Sequence, residues 1–123
     1  MQAKRKDLYI LGECWGLYIG DDKEFPQLKN CDGYTDKTAR CIVVIEKPEE
    51  CSLQYFERYQ QKVIRHEIIH AFLFESGLHS PAHYEAAENE EHPEMMVDWV
   101  AVQFPKLLKV FKDAGSLTEG EGE

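Results

Sequence analysis

The sequence predicts an α+β domain, a small antiparallel sheet packed on a long helix and a second, C-terminal helix, and three observations carry that prediction. Before residue 50, short apolar runs alternate with Gly- and Asp-containing turns, the pattern of strands joined by hairpins. Residues 53–75 then contain neither Gly nor Pro and carry an apolar stripe at helical spacing. A second helical pattern follows Pro93. With 123 residues, the chain has the length of one domain.

The elements follow in order. Leu8-Tyr9-Ile10-Leu11 and Trp15-Gly16-Leu17-Tyr18-Ile19 read as two strands, with Gly12 and Gly16 suited to turns or bulges. Residues 21–30 are polar, broken by Pro26, and read as a loop. A short strand over 32–35, a turn at 36–38 and a returning strand over 40–46 come next. The run Ile42-Val43-Val44-Ile45 is apolar on both alternating faces, so that strand belongs inside the sheet, covered on each side. Ser52 is the expected N-cap of the long helix and Gly77 its C-terminal closure. Residues 68–74 are apolar almost all round, which makes this end of the helix the most buried. The last helix is expected over 93–112, with Pro93 in its first turn and Pro105 near its middle. The domain therefore spans 1–113, and residues 114–123 form an acidic tail expected to fray.

Charge narrows the function classes. Fourteen Lys and Arg against 23 Asp and Glu leave a formal charge of −9, which disfavours a nucleic-acid partner or an anionic membrane surface. No apolar run approaches the about 20 residues that span a bilayer. With no secretory signal at the amino terminus, a cytoplasmic protein with reduced cysteines is expected. Cys14, Cys31, Cys41 and Cys51 include no C-x-x-C pair, so small half-buried hydrophobes describe them better than a thiolate zinc site.

The segment that carries chemistry is Arg65-His66-Glu67-Ile68-Ile69-His70-Ala71-Phe72, an H-E-x-x-H pattern inside the long helix. Four positions make slightly more than one helical turn, so His66 and His70 share a face and can aim both imidazoles at one ion. Glu67 sits one step round, able to reach a water beside that ion without being a ligand. Two histidines at this spacing can also be solvated or packed in a core. The apolar neighbours Ile64, Ile68, Ile69 and Phe72, with a glutamate amid them, favour the metal reading, because a buried carboxylate is costly without a task or a partner. A catalytic zinc site needs one more protein ligand. The downstream candidates run from His79 to Asp98, and a carboxylate on the next helix is held more rigidly than one on a loop. Glu94 is the preferred third ligand. Asp98, one turn on, would then accept a hydrogen bond from an outer histidine nitrogen, and the reverse assignment, Asp98 on the metal, stays open.

HEIIH followed by Glu94-x-x-x-Asp98 on a second helix resembles the gluzincin branch of zinc metallopeptidases. The short length and the phrases HEIIHAFLFESGL and EMMVDWVAVQFPKLLKVF are similar to minimal metallopeptidase-like proteins of phages and mobile elements, akin to the ImmA/IrrE group. The resemblance covers residues 40–112. It implies a zincin-like fold, Zn2+ as cofactor, His66, His70 and Glu94 as ligands, Asp98 in support and Glu67 as general base. A SprT-like relation is the second resemblance, and it would make His83 the third ligand.

The expected activity is peptide-bond hydrolysis by a metal-activated water on a peptide or protein substrate, with Glu67 moving the proton. Tyr34, His83 and Tyr84 are candidates for steadying the negative oxygen that develops, and the strand over 40–46 for aligning an extended substrate. The alternative expectation is a zinc-binding regulatory or partner-binding module with little general proteolytic activity.

Overall fold

Two hairpins organise the first half of the chain. Strand β1 (Lys6–Ile10) turns into β2 (Glu13–Gly20) through Leu11 and Gly12, both at positive φ (50° and 89°). That is the twist a two-residue hairpin loop demands. β1 and β2 pair antiparallel from Lys6↔Leu17 to Ile10↔Glu13. In the second hairpin, β3 (Gly33–Asp36) pairs antiparallel with β4 (Cys41–Ile45). Its turn is built on Asp36, whose Oδ1 accepts from Thr38 Oγ1 at 2.6 Å and from the Thr38 and Ala39 amides. These bonds, the Thr38 hydroxyl first, hold the Asp36 carboxyl below the usual carboxylate range.

The computed structural model describes residues 3–78 and 94–117. Within them the strands form one sheet in the order β1-β2-β4-β3, and β2 and β4 run parallel, from Gly16↔Cys41 to Gly20↔Ile45. The sheet is therefore mixed, not wholly antiparallel as the sequence suggests. The reason lies in the connection. Residues 21–32, which include a 3-10 turn at Pro26–Lys29, set β3 down one strand-width beyond β2, and β4 returns into the gap. Bonds at both ends lock it there: Gly16 N–H to Arg40 O and Glu46 N–H to Gly20 O. In that interior position Ile42, Val43 and Val44 are all buried, in keeping with their two-sided apolarity.

One face of the sheet, with Leu8, Ile10, Trp15, Leu17, Ile42 and Val44, packs on helix α1 (Phe56–Ser76) through Ile64, Ile68, Ala71 and Phe72. The helix starts at Phe56, with Tyr55 as an N-cap that makes no side-chain bond, and not at Ser52. Burial of Phe56 sets that start: Tyr55 O accepts from both the Arg58 and Tyr59 amides, and Ser52 lies before the turn. Gly77 closes the helix as expected, at φ 81°, with Leu78 N–H returning to Leu73 O at 3.0 Å. Near this end, Glu75 Oε1 accepts from Trp15 Nε1 (2.9 Å) and Arg40 Nε (2.6 Å), tying α1 to the sheet.

Helix α2 (Glu94–Asp113), which contains Pro105, contributes Trp99, Leu107 and Val110 to the same core, and Trp99 meets Phe72 edge-on. Of the tail expected over 114–123, residues 114–117 contact α1, and residues 118–123 lie outside the described residues. Ala114 and Ser116 are buried, Arg65 Nη1 donates to Ser116 O at 2.6 Å, and Gln61 Nε2 donates to Leu117 O at 3.3 Å. Composition marks this segment as tail, yet its backbone carbonyls serve as acceptors for two α1 side chains. Among the described residues no helix is long and apolar enough to cross a membrane.

Candidate functional site

The H-E-x-x-H segment lies in the middle of α1 beneath β3, one of the sheet's two edge strands among the described residues. What brings strand and helix so close is Gly33. A Cβ there would lie 2.7 Å from Val63 Cγ1, 3.3 Å from Val43 O and 3.4 Å from Glu67 Cγ, so only glycine permits the approach. Two residues on, Thr35 faces the same way and its Oγ1 reaches Glu67 Oε1 at 2.8 Å.

His66 and His70 converge. Their rings meet edge-on with centroids 4.9 Å apart, and the two Nε2 atoms are 3.2 Å from each other. His66 is exposed, whereas His70 is half-buried. Burial pushes the His70 pKa below its ordinary value; Glu67 opposes that shift and His66 adds to it. Glu67 itself is 7% exposed, beside both histidines in a cleft of about 340 Å3 that Gly33, Tyr34, Thr35 and Phe74 complete. A second hollow, about 240 Å3, shares Gly33, His66 and Glu67 and extends to Asp32, Tyr59 and Lys62. There the Tyr59 hydroxyl donates to Asp32 Oδ2, which raises the tyrosine pKa. At the opposite end, the Lys37 ammonium stands 5.5 Å from the centre of the Phe74 ring.

The two histidines, at hydrogen-bond distance from each other, are also spaced as two zinc ligands would be. Two imidazole nitrogens each about 2.0–2.1 Å from a common tetrahedral ion are themselves about 3.3 Å apart, close to the separation of the two Nε2 atoms. Neutral imidazole is also the form zinc needs, and burial favours it at His70. Among the described residues no group of three His, Cys, Asp or Glu converges as a metal site, so the structure brings together two of the expected ligands and the general-base candidate. Glu94 opens α2 and Asp98 follows one turn later. Their side chains, and all of His83 and Tyr84, lie outside the described residues. None of the four free cysteines lines either hollow.

Two sequence expectations about the substrate change. The strand over 40–46 has β2 on one side and β3 on the other, so it offers no free edge; the strand beside the cleft without a second partner among the described residues is β3. Tyr34 borders the cleft but alternates to the face opposite Gly33 and Thr35, pairing with Val43. Burial raises its pKa, with smaller contributions from Cys41, Cys31 and Asp36. Gly33 and Thr35 went unsingled in the sequence. A glycine at the head of a short strand is the one local sign of such an approach. Compared with family models, curated proteins and solved structures, the chain matches none.

Proposed function

We propose that this protein is a zinc-dependent peptidase in which Glu67 moves the proton. The observation that carries the reading is the convergence of the His66 and His70 Nε2 atoms beside the buried carboxylate of Glu67, in a cleft under an edge strand. His66 and His70 would hold the metal, and Glu94, or else Asp98 or His83, would complete the set. Zinc, when bound, supplies Lewis acidity that polarises the scissile carbonyl and acidifies water. Glu67 takes a proton from the attacking water and returns it to the leaving amide nitrogen, so that one water and one peptide bond become a carboxyl and an amine. An extended substrate backbone adds to β3, whose outer edge has no partner among the described residues. The resemblance to gluzincins and to the ImmA/IrrE-like proteins of mobile elements supports the same reading through the motif alone.

The test is metal analysis of the purified protein together with hydrolysis of an unfolded protein substrate. Chelation should abolish cleavage, zinc should restore it, and Glu67→Gln should keep zinc while losing cleavage. Zinc bound without any cleavage would assign the protein to the regulatory, partner-binding reading. Absence of zinc binding would overturn both.

A further inference from the structure

The carboxylate of Glu67 is buried, and the donor it meets is a hydroxyl on a different element. Thr35 Oγ1 lies 2.8 Å from Glu67 Oε1 and 3.1 Å from the Glu67 main-chain carbonyl. A threonine hydroxyl has one proton to give. The Glu67 carbonyl sits well inside α1, where a helix amide already bonds it. Among the described residues Oε1 has no other donor, and a buried carboxylate oxygen without a donor is the costlier of the two to leave unmet. The proton belongs on Oε1, at the shorter contact.

We propose that Thr35 is the positioning residue for Glu67: it holds Oε1 and so presents Oε2 to the cleft as the oxygen that moves the proton. Thr35 is well placed to act as a fixed stop. It is β-branched, with restricted χ1, and its backbone pairs with Ile42 in the sheet. Gly33 meanwhile holds the strand against Val63 and the Glu67 side chain. Without the hydroxyl, no hydrogen bond from β3 selects among the Glu67 χ angles, and a base displaced by an ångström loses about a hundredfold in rate. The same bond ties the base to the strand on which substrate would lie. The catalytic part of this role rests on the peptidase reading; the conformational part does not.

The experiment compares Thr35→Val, which keeps the shape and removes the hydroxyl, with Thr35→Ser, which keeps the hydroxyl. Four quantities are read: the Glu67 χ1 population from three-bond NMR couplings in metal-free protein, zinc affinity, and kcat and KM on the unfolded substrate. Thr35→Val should convert Glu67 from one rotamer to an average, leave zinc affinity within about twofold, and lower kcat by about 10- to 100-fold with little change in KM. Thr35→Ser should restore the single rotamer and most of kcat. If Thr35→Val does not fold, Thr35→Ala carries the comparison. A single unchanged Glu67 rotamer without the hydroxyl would overturn the proposal, as would Thr35→Ser behaving like Thr35→Val. Wild-type protein that cleaves nothing would refute the peptidase reading, and the rotamer measurement would still decide what Thr35 does.

Discussion

Replacing Gly33 by alanine tests how the candidate site is assembled. The new Cβ would lie 2.7 Å from Val63 Cγ1, whereas carbon atoms rest at about 3.5–4.0 Å, so strand and helix must part by about 1 Å. Val63 cannot step aside, because a β-branched residue in a helix has one strongly preferred χ1, and on the other side Val43 O is 3.3 Å away. Forcing an extra methyl into such a contact costs about 1–3 kcal/mol. For a domain of this size that lowers Tm by roughly 4–12 °C, readable by circular dichroism. The parting would also stretch the 2.8 Å bond between Thr35 and Glu67. Val63→Ala removes the obstructing methyl, so Gly33→Ala with Val63→Ala should be less destabilised than the sum of the two single changes, by about 1 kcal/mol. A Tm for Gly33→Ala within about 2 °C of wild type, or strictly additive losses in the pair, would refute the close seating of β3 on α1.

Other expectations follow from the same geometry. His66→Ala and His70→Ala should each abolish stoichiometric zinc in elemental analysis; of Glu94→Ala, Asp98→Ala and His83→Ala, the first should lose zinc, and loss with His83→Ala alone would move the third ligand to the loop. Because burial lowers the His70 pKa in the folded chain, the neutral ring contributes stability that is complete above the ordinary histidine value of about 6.5 and declines as pH falls through the lower folded value. Metal-free protein should therefore lose Tm on acidification through that range, and His70→Ala should flatten this part of the profile; parallel curves would contradict it. Truncation after Asp113 removes buried Ser116 and the acceptors of Arg65 and Gln61, and should lower unfolding free energy by about 2–3 kcal/mol in urea titration. An unchanged midpoint would show that residues 114–117 hold nothing in place.

Much of the local structure was legible in the sequence because its causes are local. Of the two glycines suited to turns or bulges, Gly12 lies in the first hairpin turn, and the Ile42–Val44 run marked a strand covered on both sides. Gly77 ended α1 where its left-handed φ requires glycine. The helix start was misplaced because a serine is a common cap by propensity, while burial of Phe56 decided the matter here. Residues 114–117 look like tail by composition, but their backbone acceptors, which composition does not register, dock them on Arg65 and Gln61.

By itself the sequence determined that His66 and His70 share a helical face with Glu67 beside them, since 3.6 residues per turn leaves no other outcome for that spacing in a helix. It also determined that four strands precede two helices. Only the tertiary structure decided that β4 enters between β2 and β3, that β3 becomes the edge over the histidines, and that Thr35 meets Glu67 across 32 positions of chain. Periodicity reports which side of its own element a residue occupies. Which residue faces it from another element depends on where a connecting loop sets down the next strand, and here residues 21–32 settled that by leaving one strand-width open.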